Sequence, residues 1–192
     1  MSLDVRLFYL VNNLAGRNEF LDAAARLFVN DYFVLTTLAL ILLVLWFAPG
    51  EPAVRARYQQ MFFRIGLAVL VANVVLTGMN LLYFRPRPFV ALDVVRCFYK
   101  PSDSSFPSNP ATVGFAVATA AYFHHRLAGL VMFGLATLFA LSRVYCGVHY
   151  PSDILAGALL GSLTAIAVVR WGGFLDPIWD WLIGVGRRLH LA

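Results

Sequence analysis

The stretch Ser142-Arg143-Val144-Tyr145-Cys146-Gly147-Val148-His149-Tyr150-Pro151-Ser152-Asp153 decides how this chain reads. It lies between two apolar runs. Pro151 lacks an amide proton but suits a first helical turn, so one helix ends before it and the next begins with it. An Arg, a His and an Asp are thereby gathered at the seam between two apolar segments. Asp153 falls four residues after His149, in the first turn of the second helix, where its carboxylate can reach back to the imidazole and fix its tautomer. His149 is thus a candidate nucleophile with Asp153 as its orienting partner. Arg143 adds a planar donor fork matched to phosphate oxygens. The plain alternative is a loop histidine beside a capping aspartate, and the rest of the chain has to decide.

That chain has 192 residues, 60% of them hydrophobic and 13% charged. Soluble domains carry about 25% charged residues, so this composition describes a membrane protein, read as one domain over residues 1–192. The net charge of +5 comes almost wholly from Arg at segment ends and in polar loops. Anionic lipid head groups fit that distribution, and nucleic acid does not. Residues 1–14 mix charges among apolar residues and lack the unbroken apolar core of a cleaved leader, so insertion is expected to rely on the spans.

Apolar runs predict five spans at about residues 32–48, 62–83, 108–123, 127–145 and 152–171. Segments 3–14, 18–30 and 176–188 are too short or too charged to cross, and read as interfacial helices. In the first of these, Leu3, Leu7, Leu10 and Leu14, with Phe8 and Val11, oppose Asp4, Arg6, Asn12 and Asn13. In the last, Trp179 and Trp181 read as anchors at the bilayer surface. The expected fold class is all-α, a polytopic membrane helix bundle. His124 and His125 form a tight polar turn between spans three and four, far from the other motifs. Gly157 and Gly161 make a small-xxx-small pair, suited to close packing or to a homodimer.

Counting spans brings three polar segments to one face: Arg85-Pro86-Arg87-Pro88 after span two, Phe106-Pro107-Ser108-Asn109-Pro110 before span three, and the opening stretch between spans four and five. Arg55, Arg57, Arg126, Arg170, Arg187 and Arg188 populate the other face, which reads as cytoplasmic. The motif face of this multi-pass inner (plasma) membrane protein would then look to the periplasm or cell exterior. Cys97 and Cys146 both fall there; they pair if that side is oxidising and otherwise remain free thiols.

Ser-Arg, five residues, His, three residues, Asp resembles the third signature of the type 2 phosphatidic acid phosphatase superfamily. The order of parts is similar to bacterial undecaprenyl-diphosphate phosphatases of the bacitracin-resistance type. The resemblance implies that His149 attacks phosphorus, that Asp153 orients it, and that Arg85, Arg87, Ser108, Asn109 and Arg143 bind phosphate, with no metal and no cofactor. Two positions depart from the family pattern. Asn80 stands where the first signature has Lys, and Pro110 where the second has the His that protonates the leaving oxygen. Asp103, Tyr99, Tyr145 and Tyr150 are candidates for a substitute acid.

The leaving group decides how much Pro110 matters. General-acid help is worth about 10²–10⁴ in rate. A lipid alcohol leaving a monoester needs the proton, whereas a phosphate leaving a diphosphate departs as an anion. The expected function is therefore a membrane phosphatase acting on a polyprenyl or other lipid diphosphate through a phosphohistidine. The alternatives are a catalytically degenerate lipid-phosphate binding or carrier protein, and a lipid phosphotransferase.

Overall fold

The protein is described by a computed structural model over residues 1–189; the last three residues of the expected 1–192 domain lie outside the described residues. Among the described residues the chain is all-α. Its elements are α1 (Leu3–Asn12), α2 (Glu19–Val29), α3 (Asp31–Trp46), α4 (Pro52–Leu82), the short α5 (Pro88–Ala91), α6 (Asn109–His124), α7 (Arg126–Tyr145), α8 (Pro151–Trp171), a 3-10 turn (Gly172–Leu175) and α9 (Asp176–Arg188).

Punctuation in the sequence sets these boundaries. Asn18 and Asn30 cap α2 and α3 through their side-chain oxygens, which accept from Leu21 N–H at 3.1 Å and from Tyr32 N–H at 2.8 Å. The chain bends by 64° between α2 and α3. Pro52 and Pro151 open α4 and α8, where a missing amide proton costs nothing. Residues 52–61, which lie between the first two expected spans, are the first turns of α4. His125 N-caps α7, its Nδ1 accepting from Ala128 N–H at 3.1 Å, and His124 Nδ1 lies 3.0 Å from the Ala120 carbonyl.

Helices occupy all five expected spans. By length and composition α4, α7 and the run from α8 through α9 are each sufficient to cross a membrane, and the bent α2–α3 pair makes a fourth candidate. The expected third span, α6, has 16 residues, about 24 Å of rise against a hydrocarbon core of about 30 Å.

α6 is the centre of the bundle, packed by α4, α7 and α8. Nine of its residues are buried, and most are Ala, Gly or Thr, so three neighbours can approach its axis closely. Gly157 and Gly161 of α8 provide the tightest approach: a Cβ added there would sit 2.4 Å from the Ser108 carbonyl oxygen and 2.1 Å from that of Thr112. The pair serves the α6–α8 contact within the chain and is not available to a second copy.

α9 continues the run from α8 and packs along the early turns of α4. Arg64 pairs with Asp176 at 2.7 Å, Gln60 donates to Asp180 at 2.7 Å, and Trp179 stacks on Phe63 at 5.2 Å.

Leu3 and Leu10 of α1 are exposed, and the Asp4–Phe8–Asn12 face is the one packed on the bundle. Fully buried Phe8 meets Val144, Tyr150 and Ile154, worth about 2–3 kcal/mol of burial. In a bilayer the apolar face has lipid to meet, which frees the polar face to hold the site.

Candidate active site

Three segments converge at one end of the bundle: the Arg-Pro run after α4, the loop before α6, and the α7–α8 junction. A disulfide between Cys97 and Cys146 joins the second to the third. Asn12 of α1 ties the same two, donating to the Val95 carbonyl at 2.7 Å and the Tyr145 carbonyl at 2.8 Å. Gly147, with φ +74°, makes the sharp turn that brings His149 under α7, and an added Cβ would meet Val95 O at 3.2 Å.

His149 is 1% exposed. Its Nε2 lies 3.1 Å from Arg87 Nη1. A guanidinium can only donate, so Nε2 is the acceptor, and Nδ1 carries the proton and gives it to the Ser105 carbonyl at 2.9 Å. The lone pair therefore sits on the nitrogen facing the arginine. Burial pushes the imidazole below its ordinary 6.5, with help from the Arg87 and Arg143 charges and against the pull of Asp153.

The expected direct hydrogen bond from His149 to Asp153 is not made. Their closest approach is 3.8 Å, from Nδ1 to Oδ2. That Oδ2 accepts from Ser105 Oγ at 2.5 Å and Tyr150 N–H at 2.8 Å. Asp153 thus holds Ser105, whose carbonyl holds His149.

Arg87 is clamped by the Val148 carbonyl at 3.0 Å and Asp103 Oδ1 at 2.8 Å. Arg143, 2% exposed, pairs with Asp31 and lies between the rings of Phe98 and Phe139 at 4.6 and 4.8 Å. Its Nε is buried and unpartnered, and so is Ser108 Oγ. Ser108 occupies the N-cap position of α6, yet its hydroxyl caps nothing. An unpartnered guanidinium nitrogen on Arg143, which lines one cavity with His149, suits an anion with several oxygens, while Ser108 is not among the residues lining that cavity. A cavity of about 200 Å³ is lined there by Arg87, Asn109, Pro110, Arg143 and His149, with Asp31, Tyr99 and Asp103 on its wall.

Arg85 is placed apart from this group. Its guanidinium bonds Asp153 at 2.5 Å, Asp4 at 2.6 Å and Ser152 Oγ at 2.7 Å, and sits 4.1 Å over the Tyr150 ring. It is not among the residues lining the cavity. The structure places this expected phosphate ligand behind Asp153, held between it, Asp4 and Ser152.

Asn80, in the last turn of α4, does not line the cavity either. Of the substitute-acid candidates, Tyr99 and Asp103 line it. Tyr99 donates to Asp31 at 2.9 Å, and burial and that carboxylate push its pKa up. Tyr145 is engaged with Asp22 at 2.6 Å, and Tyr150 lies under Arg85. Sequence reasoning missed Asp4, Asp31 and Ser105. Asp4 read as part of the polar face of an interfacial helix, Asp31 fell between segments 18–30 and 32–48, and Ser105 holds the imidazole through its backbone. Among the described residues no cluster of three His, Cys, Asp or Glu side chains is arranged for a metal.

The chain is similar to known proteins over most of its length. Residues 61–176 match the PAP2 superfamily. Undecaprenyl-diphosphatase BcrC of Bacillus subtilis is 33% identical over 186 residues, covering 95% of this chain and 91% of that protein. A putative undecaprenyl-diphosphatase of Escherichia coli, YbjG, is 33% identical over 172 residues, covering 88% and 83%. The crystal structure of Aquifex aeolicus LpxE superimposes with a TM-score of 0.72 at 28% identity, covering 89% of this chain and 97% of that one. With its helices, its converging loops and these alignments in agreement, the chain belongs to the PAP2 superfamily, among its membrane lipid phosphatases.

Proposed function

We propose that the protein removes the terminal phosphate of a polyprenyl diphosphate, with His149 as nucleophile. The observation that carries this reading is the His149 Nε2 lone pair directed at Arg87 beside the cavity. Arg87, Arg143, Ser108 and Asn109 hold the phosphoryl oxygens. Nε2 forms a bond to the terminal phosphorus as the bridging P–O bond breaks, and the lipid monophosphate leaves with the electron pair as an anion. The Ser105 carbonyl, backed by Asp153, steadies the charge that builds on the imidazole. Water then cleaves the N–P bond, releasing inorganic phosphate and restoring the free histidine.

Pro110 supports a diphosphate over a monoester, because it lines the cavity with no proton to give. The similarity to undecaprenyl-diphosphatases points the same way. The disulfide and the Arg-rich opposite face support a site open to the periplasm or cell exterior. Pro110 also favours one second reading, a lipid-phosphate binding protein that retains the clamp without turnover.

The test is phosphate release from purified protein given undecaprenyl diphosphate or phosphatidic acid. The diphosphate is expected to be hydrolysed faster, with a phosphate label on the wild type that His149→Ala lacks. Faster turnover of phosphatidic acid would reject the preference, and saturable binding with no release of phosphate would favour the binding protein.

A further inference from the structure

An apolar groove of about 310 Å³ runs between α3, α4 and α6, and two of its residues, Leu35 and Val113, also line the phosphate-site cavity. The helix directions give it a sense. α3 starts at Asp31, beside Arg143, and α6 starts at Ser108. Leu35, Leu38 and Leu42 on one helix and Val113 and Val117 on the other therefore descend from the site at one-turn spacing. Val69, Ile65 and Phe62 of antiparallel α4 close the third side. Leu38, Ile65 and Val117 form a buried floor, while Ala39, Phe62 and Gly66 lie exposed on the lipid-facing rim. From Leu35 to Leu42 the groove is about 10 Å long, a third of a hydrocarbon core of about 30 Å.

We infer that this groove holds the head-proximal part of a single hydrocarbon chain, the isoprenoid tail of the substrate whose diphosphate sits at His149. The inference rests on the proposed function and names the part of the substrate that selects it. Continuity with the cavity decides between the grooves. A second apolar groove between α2 and α7, of about 300 Å³, shares no lining residue with the site. A third groove, between α2 and α3, also shares no lining residue with the cavity, so among the described residues the α3–α4–α6 groove offers one chain a path from the phosphate, which favours a single-tailed lipid. The rim is kept open by small residues at Ala39 and Gly66. A Cβ built on Gly66 has nothing within 4 Å, so a larger side chain there would lie in the groove without displacing the bundle.

Gly66→Leu tests this, since it fills space in the groove and replaces a helix-interior Gly with a good helix former. Ala39→Leu is the second variant. Both are compared with wild type for hydrolysis of farnesyl diphosphate and of p-nitrophenyl phosphate, which has no tail, and for binding of farnesyl phosphonate, which needs no turnover. The expected result is about a tenfold loss in kcat/KM and in affinity for the farnesyl compounds, with the tail-less substrate unchanged. Equal loss on both substrates, or no loss on either, overturns the groove and leaves it to bulk bilayer lipid. If wild type binds the phosphonate in a Gly66-dependent way but hydrolyses nothing, the groove stands and the phosphatase reading fails.

Discussion

Replacing Arg85 with Met removes the guanidinium that links Asp4 to Asp153 while keeping most of the side-chain volume. Asp153 is fully buried, and without Arg85 its carboxylate retains only Ser105 Oγ and the Tyr150 amide as donors. Removing one partner of a buried ion pair costs about 3–5 kcal/mol. Arg85 is 22% exposed on its side chain, so the lower end applies, about 3 kcal/mol after solvent screening. Because the carboxylate left behind is the source of that cost, Arg85→Met with Asp153→Asn should recover about 1–2 kcal/mol in a double-mutant cycle. Unfolding in detergent gives the stabilities, and phosphate release gives kcat and KM. A buttress lowers stability and kcat and leaves KM for the diphosphate within about twofold. A direct phosphate ligand behaves oppositely: losing charge-assisted hydrogen bonds worth about 1.5–3 kcal/mol raises KM by roughly 10–150-fold with little change in stability. That second outcome would refute the assignment of Arg85 as a buttress.

Three further outcomes follow from the same geometry. His149 has its pKa pushed below 6.5 by burial, so the native state refuses a proton that the unfolded chain takes up below that pH. Stability from the neutral imidazole is present above pH 6.5 and lost as pH falls, and the acid limb of kcat/KM, read from phosphate release across pH 4–8, should fall below 6.5. Pro110→His should raise monoester hydrolysis by about 10²-fold and diphosphate hydrolysis far less, because only the alcohol leaving group needs the proton; equal gains on both would contradict the leaving-group argument. Cys97→Ala with Cys146→Ala opens a loop of sequence separation 49, and chemical denaturation should register a loss of about 4 kcal/mol.

Helix-scale features were legible in the chain because they depend on local chemistry. Apolar runs, Asn caps and Pro at first turns placed the helices, and counting them correctly sent three polar segments to one end. The His149 spacing identified the candidate nucleophile for the same reason. α6 shows the limit: its Ala and Gly residues read as an apolar span, but whether they face lipid or other helices is not a local property.

The order of residues alone pointed to an all-α membrane bundle resembling the phosphatase family, with His149, Arg87, Arg143 and Ser108 as residues to watch, since apolar length, Pro position and motif spacing act within a few residues of chain. How Arg85, Asp4, Asp153, Ser105 and His149 connect became visible once the helices were packed together. Asp153 and His149 are four residues apart and well spaced to bond, but the Ser105 carbonyl, arriving from 44 residues earlier, takes the proton first. Arg85, two residues from Arg87, looks like its equal in the chain. Its role diverges because Asp4 of α1, 81 residues away, draws it behind the site, and a charge settles where opposite charges surround it in three dimensions.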